Sequence, residues 1–293
     1  MDGFVVLDKA AGVTSFKAAA CLRALYHEKK TGHTGTLDPR ATGVLPVALG
    51  RATRFIDFLP SLEKAYVAAM RFGLTTDTLD ITGKVLSETP CRVTAEELTA
   101  VLPAFTGGIT QLPPMYSAVS VGGRRLYELA RKGLDVERAP RAVTVYELTL
   151  TRPLGENEFE IYVSCSKGTY VRTLIDDIGR TLGPGAVMTA LRRVKSNGFS
   201  IDDAHTEEAL LADPAAALLP TEHPFLCFPE AIVTEKQAAR FQNGGELSLD
   251  RLPAFSGEGL TRVKGPDGAF LGLGEADRET GVLRVRRVFP KEP

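Results

Sequence analysis

Two stretches of the chain repeat their apolar side chains with the two-residue period of a β-strand. They cover residues 66–72 and 158–165, and the second has the cleaner alternation. Alternation favours an antiparallel sheet, because parallel strands are usually covered on both faces. Residues 174–182 then change to the apolar spacing of a helix. Because no regular strand–helix–strand repeat appears, the pattern predicts an α+β fold and not a doubly wound parallel sheet.

Polar residues that commonly cap helices precede two further segments. Thr94 with Glu97, and Thr234 with Gln237, have the spacing of a capping box. Each pair therefore predicts the start of a helix. The second of these helices is expected to end at the glycine pair 244–245.

The first fifty residues combine a strand, a helix and a loop in the prediction. Residues 3–8 are a short apolar stretch, and Ser15 is expected to cap a helix over residues 16–26. Residues 29–50 are rich in Gly, Thr and Pro. Since Gly and Pro interrupt regular structure, we predict a long structured loop there.

The chain is expected to contain two domains. Residues 201–223 carry six acidic side chains and no Lys or Arg, and residues 224–229 begin and end with proline, as a linker often does. The remainder is rich in glycine and has short apolar stretches such as 283–289. We therefore predict one domain over residues 1–225 and a compact β-rich domain over residues 226–293.

Composition narrows the class of protein. The 293 residues are 44% apolar and 24% charged, and 35 Lys and Arg against 36 Asp and Glu give a formal net charge of −1. These values are typical of a globular protein and argue against disorder, collagen and coiled coil. No apolar run has the length of a membrane helix, and no signal peptide is recognised. The Cys and His spacings indicate neither a zinc site nor a disulfide framework, so a cytoplasmic location is expected.

Basic side chains are concentrated in three clusters despite the near-neutral total. The clusters consist of Arg124, Arg125, Arg131, Lys132, Arg138 and Arg141, then of Arg192, Arg193 and Lys195, and finally of Arg284, Arg286, Arg287 and Lys291. Any single cluster is most simply a solvated face. Three together raise the expectation of a polyanionic partner, because Lys and Arg displace the counterions of phosphates.

Segment 32–46 has the composition of a ligand-binding loop. Glycines and small hydroxyl residues surround Asp38, and Pro39 biases Asp38 away from helical backbone angles. We therefore expect a carboxylate on a stiff loop whose glycines let a ligand approach closely. Local chemistry alone favours the simpler alternative, in which Asp38 forms a turn or caps a helix.

An ordered set of motifs gives the chain a specific resemblance. The motifs are Leu7-Asp8-Lys9 with Gly12 and Thr14-Ser15, then His33 to Pro46 with Leu49-Gly50-Arg51-Ala52-Thr53, Lys64-Ala65-Tyr66, Thr76-Asp77-Thr78-Leu79-Asp80 with Gly83, Pro114-Met115-Tyr116-Ser117-Ala118, Ser166 to Thr173, and Leu191-Arg192-Arg193. In order and spacing, residues 4–200 resemble the bacterial tRNA pseudouridine-55 synthases, the TruB family. The resemblance implies a pseudouridine-synthase fold with a central, mainly antiparallel mixed sheet flanked by helices, and a small β-rich C-terminal PUA-like domain.

The resemblance also implies a tRNA-modifying isomerase. The family converts a uridine of the tRNA T-loop by breaking the bond from C1′ to N1, rotating the uracil and joining C1′ to C5. No group is added and no electron is transferred, so no cofactor and no metal are expected. The expected partner of the chain is the T-stem-loop of tRNA, with no membrane involved, and the chain is expected to be a monomer.

Three residues correspond to the catalytic residues of that family. Asp38 corresponds to its catalytic aspartate, which either attacks C1′ or removes a ribose proton on the way to a glycal, and both routes remain open. Arg172 corresponds to the arginine that pairs with this aspartate and would hold it ionised and oriented. Tyr66 corresponds to the tyrosine that stacks on the target base, and its hydroxyl is a candidate for proton transfer.

Other residues are expected to shape the pocket for the base. Tyr170 and Leu191 would form its walls, and we expect Tyr170 and Arg172 to point to the same side of an extended segment. The target uridine has to be flipped out of the T-loop. His33 corresponds to a residue that enters the space vacated by the base.

The last expected contacts concern the RNA around the target uridine. Lys9 and Asp80 are expected to support RNA contact and to order the loops. Residues 115–138 resemble a mobile insertion that closes over the T-loop, where Arg124 and Arg125 would bind phosphates. The basic residues of the C-terminal domain are expected to add non-specific RNA contacts.

Two other classes of function stay open as alternatives. The chain either binds and folds tRNA without essential catalysis, or is a metal-independent enzyme that acts on a small molecule. The joint presence of Asp38, Tyr66, Tyr170 and Arg172 argues against the first alternative. The basic clusters and the insertion argue against the second.

Overall fold

The structure, a computed structural model, describes residues 1–60, 63–252 and 254–290, so Lys291 of the third basic cluster lies outside the described residues. Its strands are β1 (Gly3–Lys9), β2 (Thr31–His33), β3 (Thr42–Leu49), β4 (Lys64–Phe72), β5 (Leu74–Thr76), β6 (Val85–Glu88), β7 (Gly107–Gln111), β8 (Ser120–Val121), β9 (Arg124–Arg125), β10 (Arg141–Gly155), β11 (Glu158–Cys165), β12 (Ala186–Ser196), β13 (Phe199–Ser200), β14 (Glu230–Ile232), β15 (Leu247–Ser248), β16 (Gly259–Lys264), β17 (Phe270–Asp277) and β18 (Val282–Val288). Its α-helices are α1 (Ser15–Leu25), α2 (Ala95–Val101), α3 (Leu126–Ala130), α4 (Val171–Leu182), α5 (Glu207–Ala212) and α6 (Glu235–Gln242). Short 3-10 helices cover Gly50–Phe58, Leu102–Phe105, Ile201–Asp203, His223–Phe225 and Leu249–Arg251.

The large sheet confirms the predicted α+β fold. Its strands follow the order β1-β3-β12-β4-β11-β10-β7, with β2 beside β3 and β13 beside β12. The pairing of β12 with β3 is parallel. The neighbouring pairs β1–β3, β12–β4, β4–β11, β11–β10 and β10–β7 are antiparallel. The sheet is therefore mixed but mainly antiparallel, as expected.

The two segments with strand periodicity lie side by side in this sheet. They form β4 and β11, in which Ala68 pairs with Ile161 and Met70 with Phe159. These four side chains are buried in the main core. Helix α4 covers the same core with the fully buried Leu174, Ile175 and Ile178, so the predicted change from strand to helix spacing is confirmed.

The prediction of a long loop over residues 29–50 is wrong for its second half. Residues 42–49 form β3, in which every residue from 43 to 49 is buried. The strand pairs with β1 on one side and with β12 on the other. A strand that is covered on both faces shows a continuous apolar run without alternation, so the glycines and prolines around it hid the strand.

Helix α1 begins one residue before the position expected. Thr14, and not Ser15, is its cap, because the Thr14 hydroxyl accepts a hydrogen bond from the backbone N–H of Lys17. The hydroxyl of Ser15 is directed instead at the backbone of Leu37. The capping boxes at Thr94 and Thr234 are both present as predicted.

A second sheet forms the C-terminal part of the structure. Its strands follow the order β14-β16-β17-β18-β15, and helix α6 packs against it. Phe241 of α6 joins Val263 and Leu283 in a separate apolar cluster. The described residues contain no helix that is long and apolar enough to cross a membrane.

The segment predicted as a linker, residues 224–229, is not an open connection, because it packs against both the N-terminal part of the chain and the C-terminal sheet. Phe225 is fully buried, and its ring lies 6.0 Å from that of Phe55 and 6.5 Å from that of Phe270. Phe289 also lies against Phe270, at 6.1 Å. The flanking prolines suggested an open connection, whereas the aromatic side chains between them bury a joint core.

The aromatic contact between the sheets gives a stability prediction. Phe225→Ala removes a fully buried ring, so the free energy of unfolding should fall by about 3–5 kcal/mol. Urea unfolding monitored by circular dichroism measures this decrease. Leu226→Ala is the matched control, because Leu226 is 57% exposed and should change the free energy by less than about 0.5 kcal/mol. Equal effects of the two variants would contradict a joint core.

Candidate active site

Asp38 lies in the loop between β2 and β3, and several contacts hold this loop in place. The hydroxyl of Ser15 donates to the carbonyl of Leu37 and accepts from its N–H, at 3.2 and 2.9 Å. The carbonyl of Pro39 accepts from the N–H of Gly12 at 2.8 Å. The loop is thus fastened on both sides of Asp38 to the turn between β1 and α1. The Asp38 side chain stays 42% exposed.

Arg172 connects Asp38 to the rest of the site. Its guanidinium is 6% exposed, and one Nη2 contact reaches the Asp38 carboxylate at 3.1 Å. The same group donates to the carbonyls of Thr78 and Tyr116 at 3.0 and 2.9 Å. Nη1 also lies 4.0 Å from the Asp80 carboxylate. The expected meeting of Asp38 with Arg172 is therefore present in the structure, and Asp80 joins them.

The expectation that Tyr170 and Arg172 share one side of an extended segment is wrong. Residues 170–172 are not an extended strand, because Tyr170 is the cap of α4 and Arg172 lies in its first turn. Gln111 fixes this start of the helix, since its side chain accepts from the N–H of Tyr170 and donates to its carbonyl. Arg172 reaches Asp38 from a helix and not by strand alternation.

A cavity of about 390 Å³ opens beside Asp38. Of the expected site residues, Asp38, Asp80 and Leu191 line it, whereas Tyr66 does not. The reason is strand alternation, because Val67 and Ala69 of β4 line the cavity and Tyr66 points to the opposite face. The Tyr66 ring is 8% exposed and belongs to the main core, so it is covered in the free protein.

Arg193 is a site residue that the sequence did not reveal. It is fully buried, and its guanidinium donates to the carbonyls of Val44 and Gly35 at 2.8 and 3.1 Å. Within the described residues, its Nη1 has no hydrogen-bond partner. Backbone pairing sets Arg193 opposite Tyr66. Its place in a basic cluster suggested a surface residue, although the alternation along β12 sends Arg193 inward and Arg192 outward.

Burial governs the ionisation of Tyr66. It raises the pKa of the hydroxyl to about 12, and the nearby Arg193 guanidinium opposes this effect only in part. Tyr66 therefore keeps its proton at neutral pH in the free protein. Its hydroxyl is available as a hydrogen-bond donor, which is the form suited to deliver or relay a proton.

His33 lies at the end of β2, five positions before Asp38, and is half-buried. Burial and the neighbouring Arg193 lower the pKa of its imidazole. The ring is thus neutral at pH 7. Its Nδ1 is buried and makes no hydrogen bond within the part of the chain that the structure describes. A neutral ring with an unused polar atom suits a group that is rearranged when a ligand binds.

Lys9 orders the loop and does not face a substrate. Its ammonium group donates to the carbonyls of Ala10, Val13 and Pro39 at 2.9, 2.6 and 3.0 Å. The residue is 1% exposed, and burial lowers its pKa. Because three carbonyls use its three donors, the expected RNA contact is corrected to a structural one.

Asp80 also has a structural task, but it stays at the edge of the cavity. One carboxylate oxygen accepts from the hydroxyl of Thr78 at 2.9 Å and from the N–H of Thr82 at 2.9 Å. The other oxygen faces Arg172. Asp80 therefore holds its turn closed while it contributes negative charge next to Arg172.

Arg124 and Arg125 lie apart from this site, on the hairpin of β8 and β9. Gly122 and Gly123 form its turn with φ of 57° and 79°, which favours glycine. Both arginines are exposed. Helix α3 follows directly, and its Leu126 is fully buried. The hairpin thus exposes two arginines and is held to the protein by the buried side chain of Leu126.

The other two basic clusters are largely bonded within the protein. Arg192 forms a two-pronged contact with Asp8 at 3.1 and 2.7 Å. In the C-terminal sheet, Arg284 pairs with Asp277 at 3.5 Å, and Arg286 pairs with Glu275. These arginines are still about half exposed, so they lie on solvated faces as expected, but acidic side chains partly neutralise them. Sequence counts could not show this, because the acidic partners come from other strands.

In the described ranges, no group of three or more His, Cys, Asp or Glu side chains is arranged to hold a metal ion. Three charged groups meet at the cavity, and they are Asp38, Arg172 and Asp80. A fixed carboxylate beside a buried guanidinium suits nucleophilic or proton-transfer chemistry.

Comparison with known proteins assigns the family. Residues 23–171 match the model described as "TruB family pseudouridylate synthase (N terminal domain)". Proteins named tRNA pseudouridine synthase B from Azoarcus sp. (strain BH72) and Escherichia coli O139:H28 (strain E24377A / ETEC) are 45% and 40% identical to the chain. The alignments cover 99% and 100% of this chain and 95% and 96% of those proteins. The chain belongs to the TruB family.

Two solved structures resemble this TruB-family fold. They are titled "Structure of H/ACA RNP bound to a substrate RNA containing 2'-deoxyuridine" and "Crystal Structure of a Cbf5-Nop10-Gar1 Complex", and each has a TM-score of 0.76. The identities are 25% and 26%, and the matches cover 99% and 98% of this chain and 85% and 84% of theirs. The expected pseudouridine-synthase fold with a PUA-like C-terminal domain is confirmed.

Two further family models divide the rest of the chain. They are "tRNA pseudouridylate synthase B C-terminal domain" over residues 172–223 and "Pseudouridine synthase II TruB, C-terminal" over residues 229–289. The boundary at residue 172 falls in the first turn of α4, and β12 lies in the middle of the large sheet. It therefore separates two sequence models and not two folded units.

The raised pKa of Tyr66 predicts how stability depends on pH. In the unfolded chain this phenol ionises near pH 10, whereas in the folded protein it ionises near pH 12. Its contribution to stability is complete below pH 10 and decreases as the pH rises toward 12. Urea unfolding at pH 9, 10 and 11 should show a smaller decrease in stability for Tyr66→Phe than for the wild type. Tyr146→Phe, at an exposed tyrosine, is the control, and equal decreases in all three proteins would refute the assignment.

Proposed function

We propose that this protein isomerises the T-loop uridine at position 55 of tRNA to pseudouridine. The observation that carries the proposal is the Asp38 carboxylate, held by the buried Arg172 on a loop that is fastened at Leu37 and Pro39. Membership of the TruB family supports the reaction class. The names of the relatives support tRNA as the substrate.

In the proposed reaction Asp38 acts on the ribose. It either attacks C1′ as the bond to N1 breaks, or removes a ribose proton so that a glycal forms as the same bond breaks. The freed uracil then rotates and C5 joins C1′. As this bond forms, the Asp38–C1′ bond of the first route breaks, or in the second route the ribose takes back the proton that Asp38 removed. The proton on C5 then leaves as N1 gains one. Arg172 keeps the carboxylate aimed through this sequence, because its guanidinium contacts the carboxylate directly.

The base has to enter the space next to Tyr66, which is covered in the free protein. We propose that substrate binding opens this space, with Tyr66 stacked on the uracil and Tyr170 and Leu191 at the walls. Flipping the uridine leaves a gap in the T-loop. The half-buried neutral imidazole of His33 is proposed to fill that gap.

The parts around the site are assigned roles in holding RNA. We propose that the hairpin with Arg124 and Arg125 belongs to an insertion, residues 115–138, that closes over the T-loop. The proposed catalytic domain covers residues 1–225, and the proposed PUA-like domain residues 226–293. Arg284 and Arg286 form ion pairs within the C-terminal sheet. We therefore expect them to contribute less to phosphate binding than the sequence suggested. A monomer without a cofactor and a cytoplasmic location remain predictions.

The catalytic role of Asp38 has a direct test. Joining C5 to C1′ expels the hydrogen at C5, so tritium release from a tRNA transcript labelled there measures turnover. Without added cofactor or metal, the wild type should release tritium and Asp38→Asn should reduce release by at least about 10⁴-fold, with tRNA affinity largely unchanged. Asp57→Asn, at an exposed carboxylate, should match the wild type. Tight tRNA binding with no release by the wild type would favour a tRNA-folding function instead.

The insertion is tested by the salt dependence of binding. Arg124→Gln with Arg125→Gln should weaken tRNA binding and lower the log–log salt slope by about one unit for each phosphate that the arginines bind in the wild type. Filter binding between 50 and 200 mM salt measures the slope. Arg152→Gln, which alters an exposed arginine bonded to Glu160, is the control. An unchanged slope in the double variant would mean that Arg124 and Arg125 are ordinary surface charges.

A further inference from the structure

Phe16 is an aromatic residue whose side chain is largely exposed to solvent. Its exposed fraction is 77%, the highest among the large apolar side chains of the described residues. It is the second residue of α1, while the buried face of that helix is made by Ser15, Ala18, Ala19 and Leu22. The core therefore gives no reason for an aromatic ring at this position.

Phe16 lies next to the chain segment that holds the Asp38 loop. The residue before it, Ser15, exchanges two hydrogen bonds with Leu37, the neighbour of Asp38. The turn before α1 is also tied to the loop, because the N–H of Gly12 donates to the carbonyl of Pro39. Phe16 thus directly follows a residue that is hydrogen-bonded to the loop that carries the proposed catalytic carboxylate.

Two cations without an ion pair belong to the same two segments, the start of α1 and the Asp38 loop. Lys17 follows Phe16, and Arg40 follows Pro39 and lines the cavity beside Asp38. Both are exposed, and over residues 1–60, 63–252 and 254–290 neither side chain forms an ion pair or a hydrogen bond. This differs from Arg192, Arg284 and Arg286, which are bonded to acidic residues.

A bare aromatic ring with free cations beside it matches the chemistry of unpaired RNA. Nucleobases offer a flat face for stacking, and the adjoining phosphates attract Lys and Arg. A protein partner fits less well. Lys17 and Arg40 form no ion pair within the described residues, and cations of this kind suit a polyanion better than the mixed charges of a protein surface. When the target uridine flips out, the bases next to it lose a stacking neighbour, which leaves one of them free to bind a ring.

We propose that Phe16 stacks on an unpaired base next to the target uridine, with Lys17 and Arg40 on the adjoining phosphates. The inference rests on the proposed function, since it needs an RNA whose uridine enters the Asp38 site. Phe16 then acts as a binding residue outside the catalytic group. Its contribution is to affinity and to the choice of RNA, and not to the chemical step.

The absence of tryptophan from the chain makes a direct test practicable. Phe16→Trp introduces the only indole, at an exposed position that does not disturb the core. Adding a T-stem-loop transcript should quench its emission strongly, because a stacked base quenches indole fluorescence. Leu211→Trp is the matched control, since Leu211 is 63% exposed on a helix that begins with Glu207 and Glu208. That emission should change little on addition of the transcript.

Affinity and turnover complete the test. Phe16→Ala should raise the Kd for the transcript roughly ten-fold, as expected for the removal of one stacked base, and should raise KM while kcat at saturation stays near the wild-type value. Phe16→Tyr should restore both, and Leu211→Ala should have no effect. Unchanged Kd and unquenched emission, in a wild type that still converts uridine, would overturn the inference and leave the proposed function standing. A wild type that neither binds nor converts the transcript would overturn both.

Discussion

The Asp38 site depends on one buried cation, the guanidinium of Arg172. A buried charge is costly unless opposite charges and hydrogen-bond acceptors surround it. Here Asp38, Asp80 and the carbonyls of Thr78 and Tyr116 supply them. These partners come from three loops that are far apart in sequence. Satisfying Arg172 therefore brings the loops together on the first turn of α4, and the position of Asp38 follows from that assembly.

A second buried cation, Arg193, also holds this loop, but it is bonded to carbonyl groups and not to a carboxylate. Arg193 uses the carbonyls of Gly35 and Val44, which lie on either side of Asp38 in sequence. Lys9 binds a third carbonyl of this loop. Burial lowers the pKa of Arg193, and its hydrogen-bond partners are neutral carbonyls. Arg193 and Lys9 therefore place two cations behind the Asp38 loop, and positive charge near a site favours a polyanionic ligand such as RNA.

The sequence predicted what depends on local periodicity and missed what depends on distant partners. The strands at Tyr66–Phe72 and Glu158–Cys165 and the helix after Leu174 show their period in their own residues, and all are present. β3 was missed because both of its faces are buried, which removes the alternation. Arg193 was missed because composition cannot separate a buried arginine from a surface one. The partners Asp38 and Arg172 were predicted only through the motifs of a known family.

The positions of basic side chains without an ion pair indicate the surface that RNA approaches in the proposed function. Three basic clusters look equivalent in the sequence, yet an arginine bonded to an acidic side chain, as Arg286 is to Glu275, has to break that contact before it binds a phosphate. Strand pairing sets such partners in the C-terminal sheet, whereas Arg40 and Arg124 remain free of ion pairs within the described residues. In the proposed complex, the cations that meet RNA at no such cost therefore lie around the Asp38 loop and on the hairpin. For a chain whose net charge is −1, affinity for tRNA comes from this local arrangement, so it should be strongest where the chemistry takes place.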